Sequence, residues 1–207
     1  MRENIFRTEQ ELDRLFRHLG VKFLKTTLLA PEINLPAPHN TEQSTYYRDN
    51  REEFLNLKKQ YGDPLEKGIS AACYVKKISR KVGYGLFADE DLPEDSLIGE
   101  YTGVVSFASE APPVKNMKGH YASDYSWDYP ALFDGCPLLE INASRKGNLL
   151  RFVNHSFNPN CAVDHLLING IWIIFFKTLV SIKKGTQLTV DYGEAYWTGG
   201  FRTLLLF

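Results

Sequence analysis

The first part of the chain alternates apolar and polar positions with a helical period. Between Thr8 and about Leu24, apolar side chains recur at steps of three and four residues, at Leu12, Leu15, Phe16, Leu19 and Phe23. This spacing predicts an amphipathic helix that begins after Thr8 as its N-cap and is interrupted at Gly20.

A loop and a second helix are expected next. Prolines and asparagines favour a loop over residues 30–44. The pattern then predicts a helix over residues 46–61 that ends before Gly62-Asp63-Pro64. We interpret residues 1–70 as a helical N-terminal region packed on the main domain, with docking of a substrate as the alternative.

After Ser70 the apolar positions follow the pattern of strands. Segments rich in Val, Ile, Phe and Tyr are separated by Gly, Pro and Asn turns, at Ala72–Lys77, Ile98–Val105, Leu166–Phe176 and Leu188–Asp191. Short strands at this spacing predict an α+β fold that is mainly β and built from small sheets.

The composition narrows the class of protein. The chain has 207 residues, 43% of them hydrophobic, which is ample for a buried core. Its formal net charge is −1, so neither nucleic-acid nor membrane binding by the whole surface is expected, although a local patch is not excluded. No apolar run reaches the ~18 residues of a membrane span, and the N-terminus has no signal-peptide run.

The three cysteines, Cys73, Cys136 and Cys161, are too few and too scattered for a disulfide framework or a four-cysteine zinc cluster. A reducing compartment is the simpler interpretation. We therefore expect a cytoplasmic protein without a bound metal.

Two short motifs are ambiguous alone. Gly83–Ala88 fits a dinucleotide-binding G-x-G-x-x-A variant, but Pro93 follows and no acid lies at the required distance. Its glycines imply a tight turn or a close backbone approach. Arg151–Cys161 is dense in polar side chains and fits a turn-rich connection. A metal site formed by His155, Cys161 and His165, or a Cys161 nucleophile, are weaker alternatives.

Five motifs in order resemble those of the SET-domain protein lysine methyltransferases: Gly83–Ala88, Glu100–Gly103, Tyr125–Trp127, Arg151–Asn160 and Gly185–Gly193. The resemblance covers roughly Ala72 to Trp197, and its last two motifs are long. It implies the SET fold, in which several small curved sheets surround a pseudoknot formed by the R-F-x-N-H-S segment. It places a SET domain at residues 71–195. The pattern is most similar to small bacterial members of the chlamydial type.

The resemblance also implies an activity, which is transfer of a methyl group from S-adenosyl-L-methionine to a lysine amine of a protein. Three tyrosines would be catalytic, namely Tyr192, Tyr101 and Tyr125. The cofactor would be held by Gly83, Tyr84, Gly85, Tyr125, Arg151, Asn154, His155, Tyr192 and Trp197. The channel for the substrate lysine would be lined by Tyr101, Tyr125, Val163, Val190 and Tyr192.

The chain departs from the family pattern at informative positions. Phe157 stands where many members have a zinc-binding cysteine, and no cysteine follows Cys161, as expected if the zinc-bound tail is absent. The segment 196–207 would then cover the cofactor and the channel, with Ala195–Trp197 and Phe201 as candidates. Val190 stands where many members have Phe or Tyr, a position that in the family helps to set the number of methyl groups added.

The expected partner is a protein with a target lysine, a histone or another basic protein, with no direct nucleic-acid or membrane contact. If the bacterial likeness holds, the protein would be an effector delivered to a host cell and its nucleus. The alternative function is a catalytically inactive SET fold that binds a peptide or the cofactor.

Overall fold

The computed structural model describes residues 5–33, 40–108 and 122–198. Its helices are α1 Glu9–Leu19, α2 Thr45–Asp49, α3 Arg51–Leu57, α4 Asp63–Glu66 and α5 Glu194–Thr198. Its strands are β1 Ile5–Phe6, β2 Lys22–Phe23, β3 Leu28–Leu29, β4 Cys73–Ser79, β5 Gly83–Ala88, β6 Leu97–Glu100, β7 Val104–Phe107, β8 Ser126–Tyr129, β9 Leu139–Asn142, β10 Lys146–Gly147, β11 Asn154–His155, β12 Cys161–Ile168, β13 Ile171–Thr178 and β14 Thr189–Val190.

The strands form small sheets that share one core. The three larger sheets have the orders β1-β4-β5, β12-β13-β6 and β3-β7-β9-β8, and two further pairs are β10-β2 and β11-β14. The core contains fully buried side chains from several of these sheets, including Val75, Leu86, Ile141, Trp172 and Phe175. The expectation of a mainly β fold with small sheets is confirmed.

The first helix is shorter than the sequence predicted. Thr8 and Glu11 form a capping box at its start. Gly20 adopts φ 70° and its N–H bonds to the carbonyls of Phe16 and Arg17, so this residue ends the helix instead of interrupting it. The chain then enters β2, and Leu15 and Phe16 are buried against the core.

The second helical segment differs from its prediction at both ends. Asn50 separates α2 from α3, and a π-helical turn over Lys58–Gly62 leads directly into α4. Helical structure therefore continues past Gly62, because Pro64 lies in the first turn of α4, where a missing N–H costs no hydrogen bond. Of the predicted loop over 30–44, residues 34–39 lie outside the described part.

Residues 5–33 also supply three strands. β1 pairs with β4, β2 with β10 and β3 with β7, so this stretch adds an edge to three different sheets. The boundaries proposed at residues 70 and 195 remain predictions.

Two predicted strand segments each divide into two. Ile98–Val105 breaks at 101–103, between β6, which pairs with β13, and β7, which pairs with β9. Leu166–Phe176 is a hairpin that turns at Asn169-Gly170, where both residues have positive φ. Among the described residues, no helix is long and apolar enough to cross a membrane.

Candidate active site

Two distant motifs meet at a short parallel strand pair. β11, from the R-F-x-N-H-S segment, pairs with β14, so that His155 lies beside Val190. The Asn160 amide fixes the pair, because its Nδ2 donates to the Gln187 carbonyl and its Oδ1 accepts from the Thr189 N–H, both at 2.8 Å. The motif asparagine therefore holds the strand that leads to Tyr192.

Tyr192 is anchored at both its backbone and its hydroxyl. Its N–H donates to His155 Nδ1 at 3.2 Å, and its hydroxyl donates to the Val153 carbonyl at 2.7 Å. Burial raises the pKa of the phenol well above its usual value. The side chain is therefore a neutral phenol whose proton points to Val153.

Aromatic rings form a wall beside Tyr192. Tyr101 is 2% exposed and stacks on Phe176 with ring centroids 5.7 Å apart. Trp127 meets Tyr101, Phe176 and Tyr192 edge to face, at 6.4, 5.8 and 6.0 Å. The Tyr101 hydroxyl donates to the Tyr125 carbonyl at 2.6 Å, and burial raises the pKa of this phenol as well.

Arg151 packs against Tyr125, the next tyrosine of the site. Its Cζ lies 4.2 Å from the centroid of the Tyr125 ring, and its Nε donates to the Ala143 carbonyl at 3.0 Å. Burial lowers the pKa of the guanidinium from its usual value, which is partly offset by the neighbouring tyrosines. In this geometry the Arg151 guanidinium braces the 143–144 backbone against the Tyr125 ring, and its expected role in holding the cofactor stays a prediction.

These side chains enclose a narrow cavity, and Tyr192, Tyr101 and Tyr125 all line it. Other lining residues are Asp124, Ser126, Trp127, Leu150, Arg151, Val153, Phe176 and Tyr196. Val163 and Val190, which were expected in the channel, do not line this cavity. Val163 lies opposite Phe176 in the β12–β13 register, and Val190 is 1% exposed within the core.

The glycine motif, for which a tight turn or a close backbone approach was expected, lies on β5, which packs closely on the N-H-S segment. Asn154 Nδ2 donates to the Tyr84 carbonyl at 3.0 Å. A Cβ at Gly85 would lie 2.7 Å from Ile78 Cδ1 and 2.9 Å from Gln187 Nε2. The motif thus brings Tyr84 and Asn154 together, and a side chain at Gly85 would have to displace the ends of Ile78, Gln187 and Asn154.

Two buried donors beside Tyr192 have no partner within the described part of the protein. Because His155 Nδ1 accepts from Tyr192, its proton lies on Nε2, and both this atom and Trp197 Nε1 are buried without a hydrogen bond. The two rings have centroids 4.8 Å apart. A purine ring or an amino-acid carboxylate would supply the missing acceptors, so these residues fit the expected cofactor.

Helix α5 closes the site from the C-terminal side. The Tyr196 ring lies 4.7 Å from that of Tyr192, and its hydroxyl donates to Asp124 at 3.3 Å. Tyr196 thus lies against Tyr192, while the expected covering of the cofactor by Tyr196 and Trp197 stays a prediction. Phe201, also expected there, lies outside the described residues.

Some lining residues were not predicted. Phe176 carries no motif and reaches the wall only because β13 pairs with β6. Val153 contributes a backbone carbonyl, which no side-chain pattern reveals.

The fold and the site define a small, mainly β domain in which a tyrosine-lined cavity adjoins unpaired buried donors. The model of the SET domain family matches residues 83–193, which is more than half of the chain. The chain therefore belongs to the SET domain family, as the motifs implied.

Several curated relatives are named as histone-lysine methyltransferases. MEDEA of Arabidopsis thaliana is 34% identical over 122 residues, which cover 57% of this chain and 17% of that protein. Human SETD2 is 35% identical over 116 residues, or 56% of this chain and 4% of that protein. The variant-silencing SET domain-containing protein of Plasmodium falciparum is 27% identical over 179 residues, or 84% of this chain and 7% of that protein.

The chain thus matches only a small part of these relatives' length. Among solved structures, ATXR5 in complex with histone H3.1 superposes with a TM-score of 0.58 at 17% identity, covering 87% of this chain and 84% of that one. This likeness supports the SET fold. The bacterial subclass remains a prediction.

Proposed function

We propose that this chain transfers a methyl group from S-adenosyl-L-methionine to the side-chain amine of a lysine in a histone or another basic protein. The observation that carries this proposal is the position of Tyr192. It lies in a cavity walled by Tyr101, Tyr125 and Trp127, next to the unpaired donors of His155 and Trp197.

The cofactor, when bound, supplies an activated methyl group on a sulfonium. His155 and Trp197 would hold it through their free N–H groups, with Tyr84, Gly85 and Asn154 forming the adjoining backbone wall. The protein's own task is then to align the acceptor and exclude water.

Tyr192 contributes through its hydroxyl oxygen. Since the hydroxyl proton is donated to Val153, the lone pairs of the oxygen remain free to accept. They can accept polarised C–H contacts from a transferring methyl group. The raised pKa keeps the phenol protonated, so Tyr192 positions and stabilises instead of taking a proton.

The aromatic wall suits a lysine. A free lysine amine with a pKa of about 10.4 is almost entirely protonated at neutral pH. An apolar cavity disfavours the charged form and lowers that pKa, while the faces of Tyr101 and Trp127 accommodate the alkyl stem and a methylated ammonium. The proton can leave to water before the amine is aligned.

The test is transfer of labelled methyl groups from S-adenosyl-L-methionine to free core histones and to other basic proteins. Tyr192→Phe removes one positioned oxygen and should reduce transfer by about 10²–10³-fold. Tyr74→Phe is the matched control, since Tyr74 lies on β4 and no hydrogen bond of its hydroxyl occurs among the described residues.

Two results would contradict the proposal. Cofactor binding without transfer to any substrate would favour the inactive binding module. Absence of cofactor binding by calorimetry would reject methyl transfer altogether.

A further inference from the structure

A pair of short parallel strands carries a concentration of positive charge. β2 and β10 lie side by side, with Lys22 opposite Lys146. The Lys22 N–H donates to the Arg145 carbonyl at 2.8 Å. We call the exposed side chains of this pair and its flanks the basic strand pair: Lys22, Lys25, Arg145 and Lys146.

These four cationic side chains do not contribute polar contacts to the described part of the fold. None of them forms an ion pair or a side-chain hydrogen bond with any residue that the structure describes. By contrast, Lys177 pairs with Asp164 at 2.9 Å and Lys183 pairs with Asp91 at 2.8 Å. Neighbouring like charges repel, even if weakly at an exposed site, so this cluster does not stabilise the protein and is suited to an anionic partner.

The basic strand pair is fixed relative to the cavity on its β10 side. Arg145 directly follows Ser144, whose carbonyl, with that of Ala143, accepts from the guanidinium of Arg151. Arg151 in turn covers the Tyr125 ring in the cavity wall. A partner bound at β10 is therefore held at a constant position with respect to the channel.

The β2 side is fixed by aromatic contacts. Phe16 meets Phe23 with ring centroids 5.3 Å apart and Phe152 at 5.7 Å. Phe152 belongs to the same R-F-x-N-H-S motif that leads to the site. Both β2 and β10 are thus anchored to the R-F-x-N-H-S segment, β2 through Phe152 and β10 through Arg151.

We propose that the basic strand pair binds the phosphate backbone of double-stranded DNA, while the neighbouring cavity receives a lysine of a histone on that DNA. The part of this proposal that concerns the histone lysine rests on the proposed function. The net charge of −1 for the whole chain conceals this local patch, and led to the expectation of no nucleic-acid contact.

DNA is favoured over an acidic protein by the chemistry of the substrate. Histones are basic and would be repelled by these four side chains, whereas the polyanion that accompanies histones is the duplex wrapped around them. Duplex DNA offers one negative charge per about 1.7 Å of axis, so several phosphates can meet four cations on adjacent strands.

The experiment measures binding of a short mixed-sequence DNA duplex by fluorescence anisotropy across a series of salt concentrations. One variant combines Lys22→Gln, Lys25→Gln, Arg145→Gln and Lys146→Gln. The matched control removes the same number of charges from the helical surface, through Arg51→Gln, Lys58→Gln, Lys59→Gln and Lys67→Gln.

The variant of the basic strand pair should bind at least about tenfold more weakly. Its plot of log affinity against log salt should be shallower by about one unit for each phosphate that the variant no longer neutralises. The control should keep the slope of the unmodified chain. Exchanging the four residues for the other basic type, Lys for Arg and Arg for Lys, should restore binding, which excludes misfolding as the cause.

The proposal is overturned if the unmodified chain does not bind the duplex at low salt, if both quadruple variants lose affinity equally, or if single-stranded RNA competes better than duplex DNA.

Methylation provides a separate readout. The variant should still act on free histones and lose activity on nucleosomes. The two proposals can fail separately. If the unmodified chain does not methylate free histones but still binds DNA through these residues, the proposed methyl transfer is contradicted and the DNA surface is supported.

Discussion

The hydroxyl of Tyr192 donates its proton to the backbone carbonyl of Val153 at 2.7 Å. This one bond joins the last motif of the chain to the R-F-x-N-H-S segment and fixes where the proton of the phenol lies. Because burial also raises the pKa of the phenol, Tyr192 cannot act as a base at neutral pH. In the proposed reaction the lysine amine must therefore lose its proton by another route.

The pH dependence of methyl transfer should therefore reflect the substrate and not Tyr192. We expect kcat/KM to rise by about tenfold per pH unit above neutrality, since the neutral fraction of a free lysine grows in that way below its pKa of ~10.4. Initial rates measured over a range of pH with saturating cofactor would test this.

Tyr192→Phe provides the decisive comparison. If the phenol is only an acceptor, the variant keeps the same rise with pH at a lower absolute rate. Disappearance of the rise in the variant would mean that the tyrosine takes the proton, contrary to its environment here.

Tyr101→Phe is expected to cost little stability. The Tyr125 carbonyl accepts both from the Tyr101 hydroxyl at 2.6 Å and from the Ala143 N–H at 3.0 Å. Removing the hydroxyl thus leaves the carbonyl with a partner, and the loss should be about 0.5–1.5 kcal/mol. Urea denaturation would measure it, with Tyr74→Phe as the control. A loss several times larger would indicate that the second bond is not sufficient.

The sequence predicted the candidate site better than the path of the chain. The resemblance of the motifs to the family implied that Tyr192, Asn154 and His155 share one site, and the structure brings all three together. The wall formed by Phe176 could not be anticipated, because its position depends on pairing between β13 and β6, which are far apart in sequence.

The N-terminal strands were missed for a different reason. Ile5–Phe6 and Lys22–Phe23 have only two residues each, too few to show an alternating pattern. Gly20 was assigned as an interruption because a glycine within an apolar repeat looks the same whether the helix continues or ends. Only its left-handed φ of 70° decides between them.

Gly85→Ala should disturb the site more than Gly83→Ala. A Cβ at Gly85 would lie 2.7 Å from Ile78 Cδ1 and 3.2 Å from Asn154 Nδ2, whereas at Gly83 it would meet nothing within 4 Å. Gly83 has φ 82°, so its substitution costs only backbone strain of about 1 kcal/mol. Calorimetric titration with S-adenosyl-L-methionine should show weaker binding for Gly85→Ala at a comparable melting temperature. Equal affinities for the two variants would argue against a cofactor role for this strand.

Acid should destabilise the protein through two histidines. Burial lowers the pKa of His155 and of His165 from the usual 6.5, against the opposing effect of Asp191 on the former and Asp164 on the latter. Each histidine holds a hydrogen bond in its neutral form, since His155 Nδ1 accepts from Tyr192 and His165 Nε2 lies 2.7 Å from the Tyr46 hydroxyl.

A group whose pKa is lower in the folded chain binds fewer protons there than in the unfolded chain. The stability from both histidines is therefore complete above the unfolded pKa of about 6.5 and is lost as the pH falls through the lower, folded values. The melting temperature should fall between about pH 7 and pH 5. In the double variant His155→Asn, His165→Gln the melting temperature should fall less steeply over the same range. His18→Gln, at an exposed position of α1, should keep the full slope. An unchanged slope in the double variant would assign the acid sensitivity to other groups.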